Sequence, residues 1–461
     1  MRDRLSTAAE RLRGFFGRRP AAAAAGLAAV ALAGVGAAVL VAGDDRKSRL
    51  AERQLEKVVP GSSKEPGDAV PAPPDVRRLV ARLPLSRQVA QLFVVDVVGQ
   101  YPRDPFFARM RRRDWGGFVV GVPNFVNEGQ LIGLTGEIRA VSRSARHLPP
   151  LIAANQSGGS SSVFPNLPPR SQRRIGATGG PGLARRQARA AAAALRRLRV
   201  NMNLAPVADV GTPGGPIQSL VFGDDPALVA RMTRAAVEGY RSRRTISAVG
   251  HFPGIGAATD DPDVATASVG LSLEDLRRRD LRPFAAISKR APVVVVANAV
   301  YAAFDGVTPA VLLPDVVGRM LRRDLGFRGV VMTGDMNATA EVVGKTVGAV
   351  SVDALNAGND LMYVPGGGPE QERAYRAVVQ AVRAGVISRE RLRLSVLRVL
   401  TLKRRYGILP TPRARGRRLS AARRRAAARR RAAARRRAAA RRRAPARGQP
   451  WPPASGTASV S

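Results

Sequence analysis

Four turns in this chain of 461 residues place side chains capable of acid and base chemistry directly after apolar runs. The stretch GFRGVVMTGDMNA (326–338) passes from valines into Thr333-Gly334-Asp335, and NLAPVADV (203–210) ends in Ala208-Asp209-Val210. Residues 246–249 lead into Gly250-His251-Phe252-Pro253-Gly254, and 151–154 open onto Asn155-Gln156-Ser157-Gly158-Gly159. A buried strand that stops at small and acidic residues delivers its last side chains to a rim where chemistry can occur. Carboxylates and an imidazole in such a rim are the groups of general acid–base and nucleophilic catalysis. Asp260-Asp261-Pro262-Asp263 adds a carboxylate cluster in which one pKa could rise far enough for an acid role, although DDPD is also ordinary solvated loop chemistry. With no cysteine, thiol catalysis, a disulfide framework, an N-terminal lipidated cysteine and Cys-ligated zinc are excluded.

The elements that must position these turns alternate. Strands are predicted at 91–98, 116–122, 151–154, 200–207, 246–249, 292–297, 326–333 and 360–364, and helical periodicity at 75–92, 127–144, 181–198, 226–241, 273–288 and 388–407. This is the pattern of parallel βαβ units. Because polar turns follow almost every strand, the expected fold class is α/β, a TIM-like (β/α)8 barrel over 75–409, in preference to a doubly wound sheet.

Outside that domain the chain changes texture. Residues 21–43 are 23 residues without a charge, preceded by Arg11, Arg13, Arg18 and Arg19 and followed by Asp44 and Asp45. That length crosses about 30 Å of hydrocarbon, and the leading positive charge keeps 1–20 in the cytoplasm. The expectation is an uncleaved single-pass plasma-membrane anchor with the C-terminal domain extracytoplasmic; the competing reading is a cleaved signal peptide. Residues 44–74 are a Pro/Gly/Ser-rich linker. Of the net charge of +42, 17 arginines lie in 410–461, where RRRAAA repeats from 423 to 443 without an acid. A six-residue period spreads arginine over every helix face, so this tail is expected to stay disordered until a polyanion neutralises it. Nucleic acid is not an expected partner, because this topology puts the tail outside the cytoplasm.

The turns then spell a recognisable set. Through NLAPVADV (203–210), FGDDP (222–226), HFPGIG (251–256), GFRGVVMT (326–333) and RLRLSVLRVLTL (391–402), the chain from about Leu83 to Gly407 resembles glycoside hydrolase family 3, specifically bacterial β-N-acetylhexosaminidases of the cell-wall-recycling type. The resemblance implies a TIM-like barrel and a retaining mechanism on β-linked N-acetylhexosaminides, with no metal or cofactor. It also implies a nucleophilic Asp directly after the Ser/Thr of the GVVxT strand, and here that position is Gly334.

A residue without a side chain forms no glycosyl-enzyme. Asp335 is the substitute one step along, where strand alternation points it the other way. The Asp-Ser-His element that the family carries after HFPGxG reads Asp261-Pro262-Asp263, leaving Asp263 as a substitute acid. The sugar-binding Asp-Gln-Glu-Gly-Gly reads Asn155-Gln156-Ser157-Gly158-Gly159, and the arginines after it become Ser160 to Val163. The Arg before FGxDP becomes Leu220 or Val221, and the Lys before HFPG becomes Gly250. Asn155, Asp209 and His251 remain as candidate sugar contacts. Two readings follow. The first is a membrane-anchored relative that has lost the reaction and binds a cell-wall glycan or anionic envelope polymer; the second is an active exo-β-N-acetylhexosaminidase using Asp335 and Asp263.

Overall fold

The computed structural model describes residues 70–159, 162–178, 180–260, 267–411, 427–428 and 431–434. The expected membrane segment 21–43 and the candidate acid Asp263 lie outside the described residues. Among the described residues no helix is long and apolar enough to cross a membrane.

Among the described residues ten strands form: β1 (Phe93–Asp96), β2 (Gly117–Val119), β3 (Leu151–Ala154), β4 (Met202–Asn203), β5 (Ile246–Phe252), β6 (Ser268–Val269), β7 (Val293–Val296), β8 (Val300–Tyr301), β9 (Val330–Asp335) and β10 (Leu361–Val364). Eight of them close a parallel barrel in chain order, β1-β2-β3-β4-β5-β7-β9-β10, with β10 pairing back to β1. Runs such as Val293–Val296 show why: a barrel strand is covered inside and out, so it needs β-branched apolar residues on both faces. β6 and β8 make a separate two-stranded parallel ribbon in the connections that follow β5 and β7.

The helices cover the barrel. The periodicity over 75–92 resolves into two helices, Pro74–Arg82 and Leu85–Ala90, because Pro84 has no N–H to donate and holds Leu83 extended. Helices Pro181–Arg197 and Pro226–Ser242 pack closely through small residues; a Cβ at Gly239 would lie 2.5 Å from the carbonyl oxygen of Arg185. In the tail, 427–428 and 431–434 are helical and exposed where the sequence reading expects no order. Alanine and arginine are both strong helix formers, and local propensity suffices for a turn.

One irregularity bears on the candidate site. Leu361 pairs with Met332 but Tyr363 pairs with Asp335, so Thr333 and Gly334 together stand opposite Met362. One extra residue of β9 is thus accommodated before Asp335, and the step from Gly334 to Asp335 keeps its alternation.

The final helix, Arg389–Arg405, locks the barrel through charge. Asp360, fully buried just before β10, accepts from Arg322 Nη2 at 2.5 Å, Ser395 Oγ at 2.8 Å, Arg398 Nη1 at 3.1 Å and the Val331 N–H at 3.1 Å. Burial pushes the Asp360 pKa up, but Arg322, Arg398 and Arg391 outweigh it and hold the carboxyl well below the usual range. At the other end of the helix, buried Lys403 donates to Gln91 Oε1 at 2.6 Å, and Gln91 donates to Asp114. Replacing Asp360 with Asn strands buried guanidinium charge. It should cost on the order of 3–5 kcal/mol, read as a lowered urea midpoint of the full chain; a loss below about 1 kcal/mol would contradict the locking role.

Candidate active site

Barrel closure brings the C-terminal strand ends to one rim, and every polar turn singled out above that the structure describes lies there. Asn155 follows β3, Asp209 follows β4, His251 is in β5, and Gly334 and Asp335 end β9.

Asp209 is the best-connected of them. Its carboxylate has no exposed surface and accepts the His251 N–H at 3.1 Å and the Ile255 N–H at 2.8 Å. The same carboxylate lies 2.9 Å from His251 Nδ1. A charge-bearing group at Nδ1 leaves Nε2 as the nitrogen turned to other partners and fixes the plane of the ring. The His251 side chain is 36% exposed, so this imidazole reaches the rim while its anchor stays dry.

The turn after β3 is held by amide side chains. Gln156 is buried and spans the following loop, donating to the carbonyls of Phe164 at 3.0 Å and Leu167 at 3.1 Å and accepting the Phe164 N–H at 3.0 Å. Asn203 clamps it from β4, accepting the Gln156 N–H at 2.8 Å and donating to its carbonyl at 2.9 Å. Gln156 is thus a structural residue, and the Oδ1 of Asn155 is buried and has no hydrogen-bond partner among the described residues. A buried acceptor left unmatched gains from a donor such as a sugar hydroxyl.

At β9 the geometry divides two neighbouring residues. A Cβ placed on Gly334 would meet Val296 O at 3.5 Å and Asn298 at 3.7 Å, ordinary contacts, so the space for a side chain survives where none is present. Asp335 has a carboxylate, and it caps the helix Met336–Val342: Oδ1 accepts the N–H groups of Asn337 at 2.7 Å and Ala338 at 3.2 Å. A helix N-cap carboxylate is stabilised in its ionised form and is held in place by the helix it starts.

Two groups at the rim escaped the sequence reading. Asp96 ends β1 and accepts from Tyr363 Oη at 2.8 Å and the Gly366 N–H at 3.2 Å. Burial raises its pKa, and those two hydrogen bonds only partly oppose the shift. The signal was a lone acid inside QLFVVDVV. Asp280 is 1% exposed beneath the HFPG turn, and both of its carboxylate oxygens lack a hydrogen-bond partner among the described residues. Gly254 sits at φ +132° against it, where a Cβ would come within 2.5 Å of Asp280 Cβ. Nothing in RRRDLRPF distinguishes this acid from its exposed neighbours in sequence.

Comparison with known proteins fits this arrangement. The glycosyl hydrolase family 3 N-terminal domain matches residues 85–402. The chain belongs to glycoside hydrolase family 3. A β-hexosaminidase of Stenotrophomonas maltophilia (strain K279a) is 34% identical over 271 residues, 55% of this chain and 79% of that protein. Among solved structures, a family 3 β-N-acetylglucosaminidase from Paenibacillus sp. str. FPU-7 superposes with a TM-score of 0.67 at 32% identity, covering 71% of this chain and 63% of the other. The chain therefore spans slightly less than two thirds of that protein. The β-N-acetylhexosaminidase of Beutenbergia cavernae DSM 12333 aligns at 27% identity with a TM-score of 0.63, covering 70% of this chain and 99% of the other. The match takes in every strand of the family 3 barrel and the locking helix as far as Leu402.

Asp280 generates a pH prediction. Burial, aided by the Asp209 charge and opposed by Arg279, pushes its pKa up to about 7. Below about pH 4 the carboxyl is protonated whether the chain is folded or not. Between about 4 and 7 the unfolded chain releases the proton and the folded one keeps it, so stability falls by at most about 1.4 kcal/mol per pH unit. Above about 7 the loss is complete. Asp280→Asn should therefore raise the melting temperature at pH 8 and leave it nearly unchanged at pH 4; an equal effect at both would contradict a buried neutral Asp280.

Proposed function

We propose that this chain is a membrane-anchored family 3 protein of the cell envelope that keeps the glycosidase barrel, has lost covalent turnover, and binds an envelope glycan at the barrel rim. The observation that carries the reading is at β9. The position where the family resemblance calls for a nucleophile is Gly334, and the adjacent carboxylate of Asp335 is engaged by the helix it caps. A retaining glycosidase needs a carboxylate at the anomeric carbon, roughly 5–5.5 Å from its acid partner. Asn155, with its unmatched Oδ1, and the His251–Asp209 pair support a remaining capacity to hold sugar hydroxyls. Residues 21–43 supply the anchor and the arginine-rich tail engages anionic polymer. No metal or cofactor enters this reading.

The competing reading is an active exo-β-N-acetylhexosaminidase with Asp335 as nucleophile and Asp263 as acid. It draws on the β9 bulge, which brings Asp335 level with Tyr363.

A chromogenic β-N-acetylglucosaminide separates the two. The expected result is no release of chromophore above the buffer rate, unchanged by Asp335→Asn, together with calorimetric binding of N-acetylglucosamine oligomers that weakens at least fivefold in Asn155→Ala. Turnover that disappears in Asp335→Asn would overturn the non-catalytic reading. Gly334→Asp should fold with stability within about 1 kcal/mol of the parent, because the Cβ has room; a larger loss would contradict the open space at this position.

A further inference from the structure

The opposite end of the barrel carries a repeated device. Helices Glu128–Ser144, Pro181–Arg197 and Pro226–Ser242 each run out into an arginine with positive φ: Arg146 at 58°, Arg199 at 62° and Arg244 at 54°. These are the three non-glycine residues of positive φ among the described residues. Glycine or asparagine ordinarily fills that position, because a longer side chain is strained there. Each arginine lies in the short connection into β3, β4 or β5, so the three stand at the N-terminal strand ends, away from the candidate site.

Each also receives a second arginine. Arg87 Nη2 donates to the Arg146 carbonyl at 3.1 Å, Arg139 Nη2 to that of Arg199 at 2.6 Å, and Arg196 Nη1 to that of Arg244 at 3.3 Å. Arg87 is neutralised by Asp114 at 2.5 Å. Among the described residues the other five, and Arg143 beside them, make no ion pair with a carboxylate. Burial and then the charges of Arg199, Arg196 and Arg143 pull the Arg139 pKa down, the mark of crowded like charge. Arg143, Arg146, Arg196, Arg199 and Arg244 are exposed.

The preference of arginine for helix C-termini accounts for one such residue. It does not account for three in successive units, each in a conformation that disfavours it and each joined by a further guanidinium. Planar guanidiniums match phosphate oxygens, and outer helices about 8–10 Å apart spread the charges into an arc.

We propose that this arc is a docking surface for a linear polyol phosphate, a phosphodiester polyanion that carries no bases. The exposed large hydrophobic residues nearest in sequence, Val98, Tyr101, Val122 and Val126, lie in the connections after β1 and β2 at the opposite strand ends. Among the described residues Val386, after helix Gly368–Arg383, is the one exposed large hydrophobic residue at the arc's end of the barrel, too little apolar surface to anchor a bilayer, which favours a soluble chain over a lipid surface. The proposal shares its partner chemistry with the tail binding suggested above and adds a folded surface that acts without the tail.

The test uses the full-length protein and poly(glycerol phosphate) of about thirty repeats, with affinity followed against salt. Asparagine tolerates positive φ, so Arg146→Asn/Arg199→Asn/Arg244→Asn removes three charges while keeping the backbone. Arg423→Gln/Arg424→Gln/Arg425→Gln removes three from the tail. The arc variant should bind at least tenfold more weakly at 0.1 M salt, with a slope of log K against log salt reduced by about two, and should lose at least three times as much as the tail variant. Equal losses, or loss only in the tail variant, would overturn the arc while leaving the tail reading intact. Tighter binding of the parent to anionic vesicles or duplex DNA than to the polymer, lost in the arc variant, would overturn the assigned partner. In the unsubstituted protein, bound polymer should shield Arg146, Arg199 and Arg244 from an arginine-selective dicarbonyl reagent, read by peptide mass; unchanged labelling at all three would overturn the proposal whatever the variants' stability.

Discussion

Asp209 presents a carboxylate with no exposed surface, and the turn that ends β5 is built around it: the N–H groups of His251 and Ile255 both donate to it, and His251 Nδ1 lies against it. A carboxylate this deep is tolerable only with its lone pairs matched. The constraint propagates. The turn must pass close over Asp280, which admits only a glycine at 254, and Tyr301 donates to the Gly254 carbonyl at 3.0 Å to complete the floor. The result is an imidazole delivered to the rim in a fixed orientation, on a scaffold whose cost in buried charge is met by hydrogen bonds.

The two halves of the rim have different standing. On the β4–β5 side Asp209 and His251 are paired and pre-organised. On the β9 side the backbone frame persists, with Thr333 Oγ1 donating to the Gly334 carbonyl at 2.8 Å and accepting the Tyr363 N–H at 3.0 Å, yet the residue in that frame has no side chain. Frame and reaction depend on different atoms. Backbone pairing and valine packing make a barrel whichever residue occupies position 334, whereas covalent catalysis depends on one carboxylate held within about 1 Å. Loss of the second leaves the first untouched.

Most of the barrel was legible in the sequence because its strands sit in apolar runs bounded by polar turns, and all eight appear within a few residues of expectation. The two-residue β6 and β8 carry no periodicity and could not be seen. Pro84 splits a helix that apolar spacing alone makes continuous. The structure places Asp209, His251 and Asn155 at the rim where their turns were expected, and adds that Gln156 is a structural clamp. The bulge opposite Met362 could not be read from one strand, since register is a property of the pair. What distinguishes Asp335 is its capping role. Asp280 was invisible for a different reason: its raised pKa comes from burial by elements distant in sequence, and its neighbours in RRRDLRPF give no hint of it.

The central claim is that no covalent glycosyl-enzyme forms on this barrel. The most direct measurement is intact-protein mass spectrometry after incubating the full chain with an activated N-acetylglucosaminyl fluoride carrying a second fluorine at carbon 5, a sugar that prolongs the life of such an intermediate. The account predicts an unchanged mass. An added sugar that peptide mapping places on Asp335, or on Asp96 across the rim, would contradict it.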